Sequence, residues 1–110
     1  MIKYHDKAGG TTQRSLKKIH HVDRLGKLFY VKGHTYKSKK CGYDFSVVVR
    51  GENGICTFTG FSFGYSGEGP RGLLALLNKL GIDNTVAKQI VFGGTWNETN
   101  NTGVNWVYHF

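Results

Sequence analysis

YDFSVVVRGENGICTFTGFSFGYSGEGPRGLLALLNKLG, residues 43–81, carries the two signals that decide the fold. Tyr43, Phe45, Val47 and Val49 alternate with Asp44, Ser46 and Arg50, the period of two of a half-buried strand; Val48 is the exception on the outer face. Gly51-Glu52-Asn53-Gly54 follows, and its Asn-Gly pair favours a tight hairpin turn. The Thr- and Phe-rich run 55–63 is then the returning strand. Further on, Pro70 suits a first helical turn, where its missing N–H has no partner to lose. Leu73, Leu74, Leu76, Leu77 and Leu80 give that helix a broad apolar face, and Gly81 stops it in the left-handed conformation. Residues 60–82 therefore read as strand, glycine-rich turn and short capped helix.

Toward the N-terminus, Lys27 to Lys32 reads as a strand. Before it, Leu16, Ile19, Val22 and Leu25 recur every three residues, with Arg14, Lys17, Lys18, His21 and Arg24 between them. That pattern predicts a basic amphipathic helix over 12–24, closed by Gly26. A short strand or arm precedes the turn at Ala8-Gly9-Gly10. Toward the C-terminus, Asp83 or Asn84 caps a second helix with Val86, Ile90 and Val91 inward, and Val104, Trp106, Tyr108 and Phe110 alternate as a last strand. The sum is one α+β domain of 110 residues: a mainly antiparallel sheet with two or three short helices packed on one face.

A hydrophobic fraction of 39% excludes a disordered chain, and no run reaches the ~18 apolar residues of a membrane span. The start MIKYHDKAGG has no apolar stretch and does not read as a secretory signal, so the expectation is a soluble, cytoplasmic protein without a membrane partner. Cys41 and Cys56 form no metal-ligand pattern and read as two reduced thiols. Charge is lopsided: residues 1–50 hold twelve Lys/Arg and three Asp/Glu, residues 51–110 three and four, within a net +8. A basic half of this kind offers a face to phosphates or to an acidic protein.

Two groups of residues are candidates for binding. The first is the turn between the strand and the helix. Its glycines leave backbone N–H groups approachable at a helix N-terminus, where an anion is favoured. Tyr65 would stack, Ser66, Gly67, Gly69 and Gly72 would line a cradle, and Arg71 would clamp a phosphate, with Glu68 opposing. Gly67, Gly69 and Gly72 match G-x-G-x-x-G, but no parallel strand follows, so a dinucleotide fold is rejected; a P-loop fails for want of Lys-Ser/Thr. The competing account is that these glycines only turn the chain and let residues 73–77 pack closely on the sheet. The second group is Lys32, His34, Tyr36, Lys37, Lys39 and Lys40, which with Tyr30 interleaves cations and rings as a single-stranded nucleic-acid surface does. Its competing account is a solvated hairpin tip. No RRM, KH or zinc-finger pattern accompanies it.

Five histidines show no metal-binding spacing, and no cofactor is implied. The expected function is a small non-enzymatic protein that captures a nucleotide or other phosphate ligand at the glycine-rich turn, of the phage-type accessory kind that sequesters a nucleotide signal. The alternatives are an RNA- or DNA-binding protein or inhibitor of a nucleic-acid-handling enzyme, and a metal-independent nuclease or phosphodiesterase using His34 or His109. Trp96, Trp106, Tyr108 and Phe110 read as core or as the interface of a homo-oligomer.

Overall fold

The computed structural model describes residues 1–7, 11–38, 42–92 and 104–110. In chain order these form β1 (Ile2–His5), α1 (Thr12–Leu16), a 3-10 helix (Ile19–Leu25), β2 (Leu28–Ser38), β3 (Gly42–Gly51), β4 (Gly54–Phe58), α2 (Glu68–Lys79), α3 (Asn84–Phe92) and β5 (Val104–His109). The strands make one sheet in the order β1-β4-β3-β2-β5. All neighbours are antiparallel except β1, which lies parallel to β4. The chain is an α+β fold, as its patterning predicts.

The β3–β4 hairpin turns through Glu52-Asn53, with Gly51 opposite Gly54. Gly54 has φ of 153°, and a side chain there would run into the backbone of Ile2 on β1. β4 ends at Phe58 instead of running to residue 63, because a buried polar knot draws the chain away from β3. Asp6, 4% exposed, accepts from the Thr59 N–H at 3.1 Å, from Thr59 Oγ1 at 2.7 Å and from Ser15 Oγ at 2.5 Å. Ser15 Oγ accepts in turn from the Gly60 N–H at 2.9 Å, and Thr12 Oγ1 donates to the Gly60 carbonyl at 2.8 Å. The side chains of Asp6, Thr12 and Ser15 thus partner the N–H groups of residues 59 and 60 and the Gly60 carbonyl in place of ladder bonds.

The helix expected over 12–24 is two pieces, five residues of α-helix and then the 3-10 helix. Apolar residues at 16, 19, 22 and 25 repeat every 3.0 residues, the 3-10 period, so this is the tighter helix that places Val22 and Leu25 in the core. α2 starts two residues before Pro70, which keeps the proline among the first N–H positions that have no helical partner. It ends as expected: the Gly81 N–H, with φ of 88°, bonds the Asn78 carbonyl at 3.1 Å, and the Ile82 N–H bonds that of Leu77 at 3.1 Å. Asp83 caps α3 through Oδ2, which accepts from the Thr85 N–H at 3.0 Å.

Val31, Val47, Val49, Cys56 and Phe58 point to one face of the sheet and share a core with Leu73, Leu76, Leu77, Ala87, Val91, Val22 and Leu25. Every described helix therefore covers that face, and no described helix covers the other. Cys56 is a free thiol whose pKa burial pushes up. Trp106 and Tyr108 pack against this core, while Phe110 is exposed. Trp96 and Cys41 lie outside the described residues.

Candidate nucleic-acid interface

Strand register assembles the open face. Residues directly opposite one another share a face, so the pairings read across the sheet as rows. One row is Lys3–Ile55–Arg50–Tyr30–His109, from edge to edge. The next is His5–Thr57–Val48–Lys32–Val107. At ~4.8 Å between strands, each row spans about 19 Å. Beyond them His34 pairs with Ser46.

Three cations, three imidazoles and one phenol ring thus share a surface floored by Ile55, Thr57, Val48 and Val107. Neither full row contains a carboxylate. Among the described residues the ion pair is Lys79 with Asp23, at 3.2 Å, and Lys3, Lys32 and Arg50 have no carboxylate partner. Lys32 Nζ lies 5.1 Å from the centre of the Tyr30 ring, and His109 meets that ring edge-on at 6.3 Å. Tyr30, Lys32, Val107 and His109 border a shallow depression of about 290 Å³. At one end the β2–β3 ribbon continues, from the pair Thr35–Phe45 to Ser38–Gly42, past the last β5 pair at His34 and the last β4 pair at Val47.

Of the basic group read from sequence, Lys32 and His34 lie on this face. Tyr36 and Lys37 belong to the projecting ribbon, and Lys39 and Lys40 lie outside the described residues.

The glycine-rich turn lies on the helical side of the sheet, the side opposite Lys32 and His34. Gly67 is extended and makes no side-chain cap. A Cβ at Gly69 would sit 2.1 Å from Ser62 Oγ, and one at Gly72 would meet Thr12 and the Phe61 ring at 2.6 and 2.9 Å. Close approach of α2 to residues 61 and 62 and to α1 therefore accounts for both glycines. Tyr65 donates to or accepts from Ser62 Oγ at 2.6 Å, and Arg71 and Ser66 are exposed. Tyr65 and Gly69 do border a cavity of about 250 Å³ with Thr12, Asp44, Phe45, Thr59 and Ser62. Its described lining holds one carboxylate and no cation, which does not favour a phosphate.

Sequence reading missed Lys3, His5 and Arg50 as partners of Tyr30, Lys32 and His109. Strands β1, β2, β3 and β5 each contribute one or two of them, and only cross-strand register unites them. Among the described residues no group of three or more His, Cys, Asp or Glu is arranged to hold a metal ion, and no helix is long and apolar enough to cross a membrane. No family model, curated protein or solved structure matches the chain.

Proposed function

We propose that this protein binds single-stranded nucleic acid on the open face of its sheet. The observation that carries this reading is the pair of rows: Lys3, Arg50 and Lys32 stand among Tyr30 and His109 with no carboxylate between them. Cations that track a phosphate backbone, with rings on which bases stack, are the two components of sequence-tolerant single-strand recognition. Among the described residues no helix covers this face, which leaves both components approachable. The β2–β3 ribbon extends the sheet at one end.

The test is fluorescence anisotropy with a labelled single-stranded oligonucleotide at low salt. Lys32→Gln with Arg50→Gln weakens binding by about tenfold or more, and Tyr30→Leu weakens it without changing its salt dependence. Unchanged affinity in the double variant, with its melting temperature intact, rejects the reading.

The glycine-rich turn supports a second reading, a mononucleotide or other small phosphate ligand. α2 begins without a side-chain cap, and Arg71 stands exposed in its first turn. There, Arg71→Ala abolishes mononucleotide binding while leaving the melting temperature nearly unchanged.

A further inference from the structure

A second concentration of positive charge lies on the other side of the β1 edge. Lys7, Arg14, Lys17 and Lys18 border a cavity of about 140 Å³, and no carboxylate appears in its lining among the described residues. Arg14 lies in α1, Lys17 is its C-cap and Lys18 the N-cap of the 3-10 helix, so the three follow one another around the end of α1. Lys7 joins them because the Asp6–Ser15 hydrogen bond, buried and 2.5 Å long, fastens the end of β1 to α1. Lys7 follows Asp6 and Arg14 precedes Ser15, so the clamp that secures the fold also holds four like charges together.

Two carboxylates stand on elements beside α1. Asp6 is engaged by Ser15 and Thr59, and Glu68 accepts from Gln13 at 3.5 Å. The carbonyls ending α1 account for a cation at 14, 17 or 18, but not for Lys7. Like charges held this close repel, and an anion between them relieves the repulsion.

We infer that this pocket binds a phosphate dianion, the terminal phosphomonoester of a nucleic-acid strand. Four cations call for more than the single charge of a phosphodiester, and Arg14 adds a fork suited to two phosphate oxygens. Lys3, His5 and Lys7 alternate along the chain, leading from the open-face rows to the pocket. The strand-end assignment rests on the open-face reading; the anion site itself does not. Free pyrophosphate, a more highly charged phosphate anion, would fill the same cluster of cations, so the two sources need separate arms.

In the first arm, pyrophosphate is titrated calorimetrically into the wild-type protein, the Arg14→Gln/Lys18→Gln variant and the Lys32→Gln/Arg50→Gln variant. The pocket variant binds about tenfold or more weakly, and the open-face variant binds like wild type. In the second arm, a 5′-phosphorylated oligonucleotide and its 5′-hydroxyl counterpart are compared, and then their 3′ equivalents. A terminal phosphate at one end tightens binding several-fold in wild type and in the open-face variant, and not in the pocket variant. Absence of saturable pyrophosphate binding, or equal binding by the pocket variant, overturns the site. Equal affinity for phosphorylated and unphosphorylated strands overturns the strand-end assignment. If oligonucleotides bind the open-face variant like wild type while pyrophosphate still needs Arg14 and Lys18, the open-face reading fails and the anion site stands.

Discussion

The indole of Trp106 on β5 lies across Gly33 on β2: a Cβ at position 33 would sit 2.3 Å from Trp106 Nε1. The two residues are register partners, and the ring runs on to meet Phe63 edge-on at 5.6 Å. Among the described strands β5 is at the edge and pairs with β2 alone, so this contact is a principal means of attaching it. Gly33→Ala must displace a packed indole, and the expected cost is about 1–3 kcal/mol, read by urea denaturation. Since β5 supplies His109 and Val107, the same variant weakens oligonucleotide binding as well.

The Asp6 knot supports a second prediction. Asp6→Ala leaves the Ser15 hydroxyl and the Thr59 N–H and hydroxyl without their acceptor, all three in buried or half-buried positions. A loss of about 3 kcal/mol is expected, with Ser15→Ala costing less because Thr59 keeps its bonds. Equal and small losses in both, by denaturation, would show that the knot is not what ends β4.

The legibility of the fold follows from the range of each interaction. The β3–β4 hairpin, the Gly81 stop and the Asp83 cap each involve residues a few positions apart, and local pattern exposes them. The parallel pairing of β1 with β4 joins Ile2 to Gly54, and nothing local announces it. The 3-10 helix was written in the strict three-residue spacing at 16, 19, 22 and 25, but that spacing also resembles one side of an α-helix. The basic half was visible in composition. The rows were not, because Lys3, Arg50 and Lys32 become neighbours only through register. Gly69 and Gly72 mark a close approach between α2 and residues 12, 61 and 62, which the spacing alone does not distinguish from a ligand cradle.

His21 makes stability depend on pH. Its ring stacks on Tyr4 at 4.0 Å, and its buried Nδ1 has no hydrogen-bond partner among the described residues. Burial lowers its pKa, and the charges of His20, Lys18 and Arg24 lower it further. The unfolded chain, with an ordinary histidine near 6.5, therefore takes up this proton first as pH falls. The stability from neutral His21 is fully present above about pH 6.5 and declines as pH drops from there toward the lower folded value. His21→Phe keeps the stacking and removes this contribution. Melting temperatures compared between pH 8 and 5 show a smaller decline in the variant than in wild type.

The central claim is that the cations of this sheet face, which lack carboxylate partners among the described residues, bind the phosphates of a single strand. The most direct measurement is the slope of log affinity against log salt concentration for one oligonucleotide, in wild type and in Lys32→Gln/Arg50→Gln. Each phosphate contact contributes a slope of about −0.7 for single strands, so losing two shallows the slope by about 1.4. That reduction, with the melting temperature retained, is the predicted result. Identical slopes in the two proteins, or affinity indifferent to salt, would contradict the account.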